Sequence, residues 1–436
     1  MIQYIKLILG SFVLTDDIIL HIGIDDTDSN EGMCTTYLTH IIIKQLKQQG
    51  IIPTDYPRLI RLNPFARYKT RGNGALSFTL KLQNKKEVEL VEKIVLDNVE
   101  KYSMFDGINT NPGVIFYEGE ITQEMKDYAL NAIYSIYTID YAENFAKKIG
   151  ARVHKFKKGR GIIGSLASIS LELTDETFEC LAYRKPENIG TKRKLDQKSI
   201  YIMNEKTFPE TFDNVDIEGN YTAIEPHTPC PVLYGIRGNT AEIVEQAHNM
   251  VISNEDIEDY CIFRTNQHTD MHIQEKIPIS DMKCSSCYKI KCNVVENPYE
   301  IEGGHVFFKV SDGTGILECA AFEPTKRFRN IIRKLRNGDE LIIYGGLNEN
   351  HTFNIEKLHL IKKAPQYNLT NPLCDCGKRM KSAGKNKGYK CPKCGKKIRS
   401  SEKNKELINR DIQEGFYEVP TEARRHLSKP IVRMNL

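Results

Sequence analysis

At 436 residues, 40% apolar and 27% charged, the chain has the composition of an ordinary folded protein, which excludes both a disordered tract and a fibrous repeat. Its length allows about three domains of roughly 150 residues each. The net charge of +4 is unevenly placed: between Cys374 and Glu406 there are 12 Lys or Arg against 3 Asp or Glu, so that end can meet phosphates or form a solvated basic tail.

The run Ile5 to Leu14 is apolar but interrupted by Lys6 and followed by Asp16 and Asp17. It falls short of the roughly 20 apolar residues that span a bilayer, and no small-residue cleavage site follows. Residues 1–20 therefore read as an N-terminal extension of a cytoplasmic protein that contacts no membrane. Twelve cysteines in such a compartment imply metal ligands and buried thiols rather than disulfides.

From Ile18 to Ile24 the nearly continuous apolar residues predict a buried strand ending at Asp25, Asp26 and Asp28. Residues 36–48 follow with helical spacing, apolar at Leu38, Ile41, Ile42 and Leu46. Strand-like ALSFTLKL from Ala75 and helical EVELVEKIVLDNV from Glu87 continue the alternation. Residues 21–275 thus form a catalytic half of α+β or α/β class, whose topology the pattern leaves open. After residue 285 the texture changes to KIKCNVV, GHVFFKVSD, ILECAAFEP, a helix FRNIIRKLRNG, then DELIIYGG and TFNIEKLHLI. Five strands with a helix between the third and fourth predict an OB-fold barrel over 285–365. A ribbon over 370–400 and a basic tail over 401–436 complete the chain.

Three carboxylates within four residues are costly unless a cation sits between them, and magnesium, a hard ion that accompanies phosphates, is the natural partner. An acidic helix cap using Ser29 and Thr35 is the plainer alternative, but the helix begins several residues later. Backbone N–H groups and cations come together in KTRGNGA (Lys69 to Ala75), KKGRGIIGS (Lys157 to Ser165) and YGIRGN (Tyr234 to Asn239), loops suited to phosphates although none is a P-loop. Cys374-x-Cys376 and Cys391-x-x-Cys394, each backed by a glycine, have the spacing of a tetrahedral zinc site, the first pair being one residue tighter than usual. Cys284, Cys287 and Cys292 lack a matching second pair and read as thiols. Cys34, Cys180, Cys230, Cys261 and Cys319 read as small buried hydrophobes. In the barrel, Phe307, Phe308, Phe322 and Phe328 alternate with Lys309, Lys326, Arg327, Arg329 and Arg333, so rings can stack bases while cations hold phosphates. Strand alternation sends Phe307 or Phe308 to the core.

On GIDDTDSNEGMCTTYL (Gly23 to Leu38), PRLIRLNP (Pro57 to Pro64), YKTRGNGA (Tyr68 to Ala75), KKGRGIIG (Lys157 to Gly164), TPCPVLYGIRG (Thr228 to Gly238) and AAFEPTK (Ala320 to Lys326), with GFYEVP and ARRHLSKP near the end, the chain resembles the archaeal tRNA(Ile) 2-agmatinylcytidine synthetases. The resemblance implies a kinase-like domain, a ferredoxin-like domain, an OB-fold and a zinc ribbon. It implies a ligase that uses ATP and agmatine to convert the wobble cytidine of the minor isoleucine tRNA, anticodon CAU, into 2-agmatinylcytidine. Decoding would then change from AUG to AUA. It further implies that Asp25, Asp26 and Asp28 hold magnesium and that Thr35, first threonine of CTT, is autophosphorylated. Residue type assigns Lys158, Gly159, Arg160, Gly161, Arg71 and Asn73 to ATP phosphates and Asp213 to the agmatine guanidinium. Phe322, Lys326, Arg327, Phe328, Lys378 and Arg379 are expected to meet the tRNA, and no obligate protein partner is evident. Two other readings keep the architecture: a tRNA-binding factor without catalysis, and a tRNA ligase using another amine.

Overall fold

The computed structural model describes residues 17–69, 72–399 and 402–434. The apolar run of the first strand is buried from both sides, as its lack of alternation requires. In chain order the first half holds β1 (Ile18–Asp25), α1 (Thr35–Gln48), β2 (Arg58–Arg61), β3 (Gly74–Leu82), α2 (Lys85–Tyr102), β4 (Gly113–Glu118), α3 (Gln123–Tyr134), α4 (Ile139–Lys148), β5 (Arg152–Lys155) and α5 (Ile162–Ser170). It continues with β6 (Thr177–Arg184), α6 (Gln197–Thr207), β7 (Thr211–Phe212), β8 (Val215–Asp216), β9 (Tyr221–Thr222), β10 (Val232–Gly238), α7 (Ala241–His248), β11 (Ile257–Thr265) and β12 (Ile273–Gln274).

Nine of these strands make one sheet in the order β5-β4-β1-β3-β2-β11-β6-β10-β7. Its middle seam is short and parallel, Arg264 opposite Arg58 and Thr265 opposite Leu59. Apolar residues of α1 and α2 cover one face of the first five strands, and those of α3, α4 and α5 cover the other. α6 and α7 cover the remaining strands. Tyr37, Leu59, Leu76, Leu181, Tyr183 and Phe263 pack together and join the two halves of the sheet.

The second part closes as predicted: β13 (Ser286–Ile301), β14 (His305–Ser311), β15 (Ile316–Ala321), β16 (Glu340–Leu347) and β17 (Thr352–Lys362) form a five-stranded barrel sealed by β13 against β16. α8 (Phe328–Arg333) lies between the third and fourth strands and packs its Phe328 and Ile332 into the barrel core. Phe308 also faces that core, whereas Phe307 does not. The barrel sheet begins earlier than expected, because β12 pairs with β13 through Ile273 and Cys287.

β18 (Tyr367–Thr370) pairs with β22 (Asn404–Leu407) as a stem, and between them β19 (Lys381–Ser382), β20 (Tyr389–Lys390) and β21 (Lys397–Ile398) form the ribbon. The expected basic tail is not free. β23 (Gly415–Glu418) joins the barrel at β17, and residues 420–434 then run back to the first half as a strap. Its basic side chains find a half-buried carboxylate there: Lys429 lies 2.8 Å and Arg433 2.9 Å from Asp175. Among the described residues no helix is long and apolar enough to cross a membrane. The predicted apolar segment at Ile5 to Leu14 lies outside the described residues.

Candidate active site

β1 ends at Asp25, and Asp26 turns the chain with a positive φ of 62°. The turn through Ser29 and Gly32 then delivers the chain to α1, which starts at Thr35. This short path places Asp25, Asp26, Asp28 and Thr35 on the wall of one cleft of about 890 Å³. Thr27 Oγ1 donates to Thr35 Oγ1 at 3.0 Å, and Thr110 Oγ1 donates to the Asp28 carbonyl at 2.7 Å, fixing both ends of the turn.

α5 crosses β1 at unusually close range, which requires glycine. A Cβ on Gly23 would lie 2.3 Å from the Ser165 carbonyl oxygen, and one on Gly164 would lie 2.1 Å from Asp25 Oδ2. The Asp25 carboxyl is thereby sealed against the helix. Burial, followed by the neighbouring Asp26, drives it well above the ordinary carboxylate range. Asp26 is pushed up to about 7 by burial, with Arg160 opposing the rise. Arg160 Nη2 lies 2.7 Å from Asp26 Oδ2, donates to the carbonyls of Asn109 (2.6 Å) and Tyr68 (3.1 Å), and sits over the Tyr68 ring. Two adjoining buried carboxyls that resist ionisation form a donor set that fits a hard divalent cation such as magnesium.

α2, α3, α4, α6 and α7 each have a side-chain N-cap, from Asn84, Thr122, Thr138, Asp196 and Thr240. α1 and α5 have none, and both begin beside the acidic turn. The start of α1 thus offers backbone N–H groups and a positive dipole end to an anion, whereas at α5 the N–H groups of Gly161, Ile162 and Ile163 are spent on the carbonyls of Asn111, Gly159 and Arg160.

The expected phosphate loops reach the cleft only in part. Arg160 lines it, but Lys158 is exposed, and Gly159 and Gly161 shape the turn into α5 away from the lining. Asn73 lines it too, though its amide is spent on the Asn63 carbonyl at 2.8 Å. Arg71 lies outside the described residues. Asp213 stands on the cleft wall, but it already has partners in its own chain: the Arg424 guanidinium, with Nε at 2.9 Å, and the His268 imidazole, with Nε2 at 3.0 Å. Arg424 and His268 hold its carboxyl well below the usual range against the effect of burial.

Sequence reasoning missed a second charged group in the cleft. Glu179, only 2% exposed, receives Arg237 Nε at 3.0 Å and Gln267 Nε2 at 2.5 Å, with Arg61 at 3.9 Å. Burial would raise its carboxyl, but Arg237 and Arg61 hold it below the ordinary value. Arg237 belongs to the YGIRGN loop, whereas Glu179 carries no signal beyond being a charge within a mostly apolar strand.

Of the residues expected to meet RNA, Phe328 is corrected: it is 1% exposed and belongs to the barrel core, because it shares a helical face with Ile332. Phe322 is half-buried edge-on to Phe307 and His305. Lys326 pairs with Glu422, and Arg327 with Asp216 at 3.0 Å and Glu218 at 2.7 Å, so both tie the barrel to other parts of the chain. Lys378 and Arg379 are exposed on the ribbon.

The four ribbon thiols converge: Cys374 Sγ lies 3.4 Å from Cys394 Sγ, and Cys376 Sγ lies 3.6 Å from Cys391 Sγ. Zinc–sulfur bonds of about 2.3 Å put tetrahedral sulfurs about 3.8 Å apart, so the set fits zinc and is too open for disulfides. Gly377 and Gly395 have φ of 78° and 77°, the positive values that the knuckles were expected to need. The tighter first pair therefore does not spoil the site.

Four family models match the chain in order: the TiaS TCKD domain over residues 21–90, the TiaS FLD domain over 159–272, an OB-fold nucleic acid binding domain over 288–361 and the TiaS C-terminal zinc ribbon domain over 371–412. A tRNA(Ile2) 2-agmatinylcytidine synthetase TiaS of Archaeoglobus fulgidus is 43% identical over 417 residues, covering 95% of this chain and 97% of the relative. A solved TiaS–tRNA(Ile2)–ATP complex is similar at 42% identity with a TM-score of 0.89, and a TiaS–tRNA(Ile2)–AMPCPP–agmatine complex at 40% with 0.87. Each covers 96% of this chain and 98% of the solved one.

Proposed function

The chain belongs to the tRNA(Ile2) 2-agmatinylcytidine synthetase family, and from that premise we propose that it is an ATP-dependent ligase that joins agmatine to the wobble cytidine of the isoleucine tRNA with anticodon CAU. The observation that carries the reading is the joint position of Asp25, Asp26, Asp28, Thr35 and Arg160 on one cleft wall beside the uncapped start of α1.

The chemistry needs such a wall. A ring carbonyl oxygen is a poor leaving group. Transfer of the ATP γ-phosphoryl group to cytidine O2, releasing ADP, makes a phosphate ester. The agmatine amine then attacks C2, the C–O bond breaks, and phosphate leaves as the C–N bond forms and the amine gives up its proton. In this reading Asp25 and Asp26, with Asp28, would hold magnesium, and the ion would supply positive charge against the phosphate. The N–H groups at the start of α1 and the guanidinium of Arg160 take the phosphate oxygens. Thr35, beside the acidic turn, stands where a phosphoryl group can also be accepted by the chain itself.

In the same reading, the N-terminal part is kinase-like, residues 159–272 are ferredoxin-like, and the barrel with Phe322 and the zinc-held ribbon with Lys378 and Arg379 grip the tRNA. The test is to incubate the protein with ATP, magnesium, agmatine and an unmodified tRNA transcript, then weigh the digested nucleosides. A cytidine heavier by agmatine less water, dependent on ATP, is expected. An unshifted cytidine on tRNA that binds tightly would reduce the protein to a binding factor or a ligase for another amine.

A further inference from the structure

The strap brings the end of the chain into the cleft. β23 is held on the barrel by its pairing with β17, and the following residues cross to the nine-stranded sheet, where Thr421, Arg424 and His426 line the cleft. The Arg424 side chain, 5% exposed, bridges Glu418 of β23 and Asp213. Asp213 Oδ1 also accepts from Thr421 Oγ1 at 3.3 Å. Its other partner, His268, donates its backbone N–H to the His426 carbonyl at 2.8 Å. On the opposite side the His426 ring lies so near the β2–β3 loop that a Cβ on Gly72 would come within 2.7 Å of it. One strap thus touches two loops that are remote from each other in sequence.

Stability alone is a weak reason for this arrangement. A buried ion pair gains little net free energy over a packed apolar pair of the same size. Asp213 also holds a φ of 54°, uncommon for a residue with a side chain and retained only where neighbours over-determine it. We propose that Arg424 is a positioning residue for the transfer reaction: through Asp213 and His268 it fixes the strap as a wall of the catalytic cleft, anchored at its far end on the barrel. The inference rests on the agmatine-transfer reading above. In this arrangement the chain itself supplies Asp213 with a guanidinium.

The experiment compares wild type with Arg424→Met, Arg424→Lys, Asp213→Asn and the Met/Asn double variant, measuring kcat, KM for agmatine, tRNA affinity and thermal melting. Arg424→Met is expected to lower kcat about 10- to 100-fold, the scale of a wall displaced by about 1 Å, with tRNA affinity unchanged. Arg424→Lys, which keeps the charge beside Asp213, recovers most of the loss. The double variant is no worse than the poorer single, as for residues acting as one unit. Should Arg424→Met not fold, the near-isosteric Asp213→Asn decides by the same kcat criterion. Unchanged kcat in these variants, losses that multiply in the double variant, or a kcat loss that only tracks lost tRNA affinity overturns the proposal. A wild type that modifies no tRNA sinks the underlying reading instead.

Discussion

Arg160 Nη2 lies 2.7 Å from Asp26 Oδ2, so the acidic turn carries a cation of its own chain on the wall of the cleft. The guanidinium also sits over Tyr68, which brings the β2–β3 loop into the same arrangement.

Replacing Asp25 or Asp26 by Asn keeps the shape of the turn and removes its charge. Modification should fall by about 100-fold or more, the scale on which a single charge-stabilising group acts in a transition state. Binding of tRNA, measured by filter retention, should stay near wild type because the proposed grip lies elsewhere. Lost binding with intact catalysis would reverse the assignment.

Gly23→Ala sets a methyl group 2.3 Å from the Ser165 carbonyl, a backbone atom that cannot step aside. Denaturant titration should show a loss of about 1–3 kcal/mol, typical of an overpacked core. Gly164→Ala meets the Asp25 carboxylate instead, and its larger effect should be on turnover. An unaltered turnover in Gly164→Ala would mean that the Asp25 carboxylate need not sit where the helix holds it.

Burial would raise the Glu356 carboxyl, but His272, 3.1 Å away, and Arg425, also at 3.1 Å, draw it down to about 2 from an ordinary 4.5. A depressed carboxyl stabilises the fold above its unfolded value, so this contribution is present above pH 4.5 and is lost as pH falls from there toward 2. Glu356→Gln should cost about 2 kcal/mol at neutral pH, because it leaves Arg425 without its buried counter-charge, and should flatten the acid slope of an unfolding titration. A slope identical to wild type would remove Glu356 as its source.

Chelation of zinc, or Cys391→Ser, should unfold the ribbon and weaken tRNA binding by about an order of magnitude, since its cations would no longer be held together. ATP binding to the first half should be untouched. Equal tRNA affinity with and without zinc would deny the ribbon its part in the grip.

The elements written in one unbroken pattern were legible from the residues. Apolar continuity placed β1 within a residue, and strand texture with the intervening helix specified the barrel. The four thiols were readable from spacing and the knuckle glycines. Phe328 went astray because its basic neighbours suggested a nucleic-acid face, although its spacing to Ile332 already marked a buried helical side. The cluster of Arg61, Glu179 and Arg237 could not be read, since the three stand on strands far apart in sequence and only sheet topology brings them together. The strap failed for a related reason. Its burial rests on arginines and lysines matched to carboxylates more than 150 positions away, and composition reports those residues as a solvated tail.

Thr421, Arg424 and His426 line the cleft while β23 is held on the barrel. Barrel and cleft wall are therefore one covalent piece, and any displacement of the barrel against the nine-stranded sheet is felt at the cleft through the short stretch from Glu418 to Arg424.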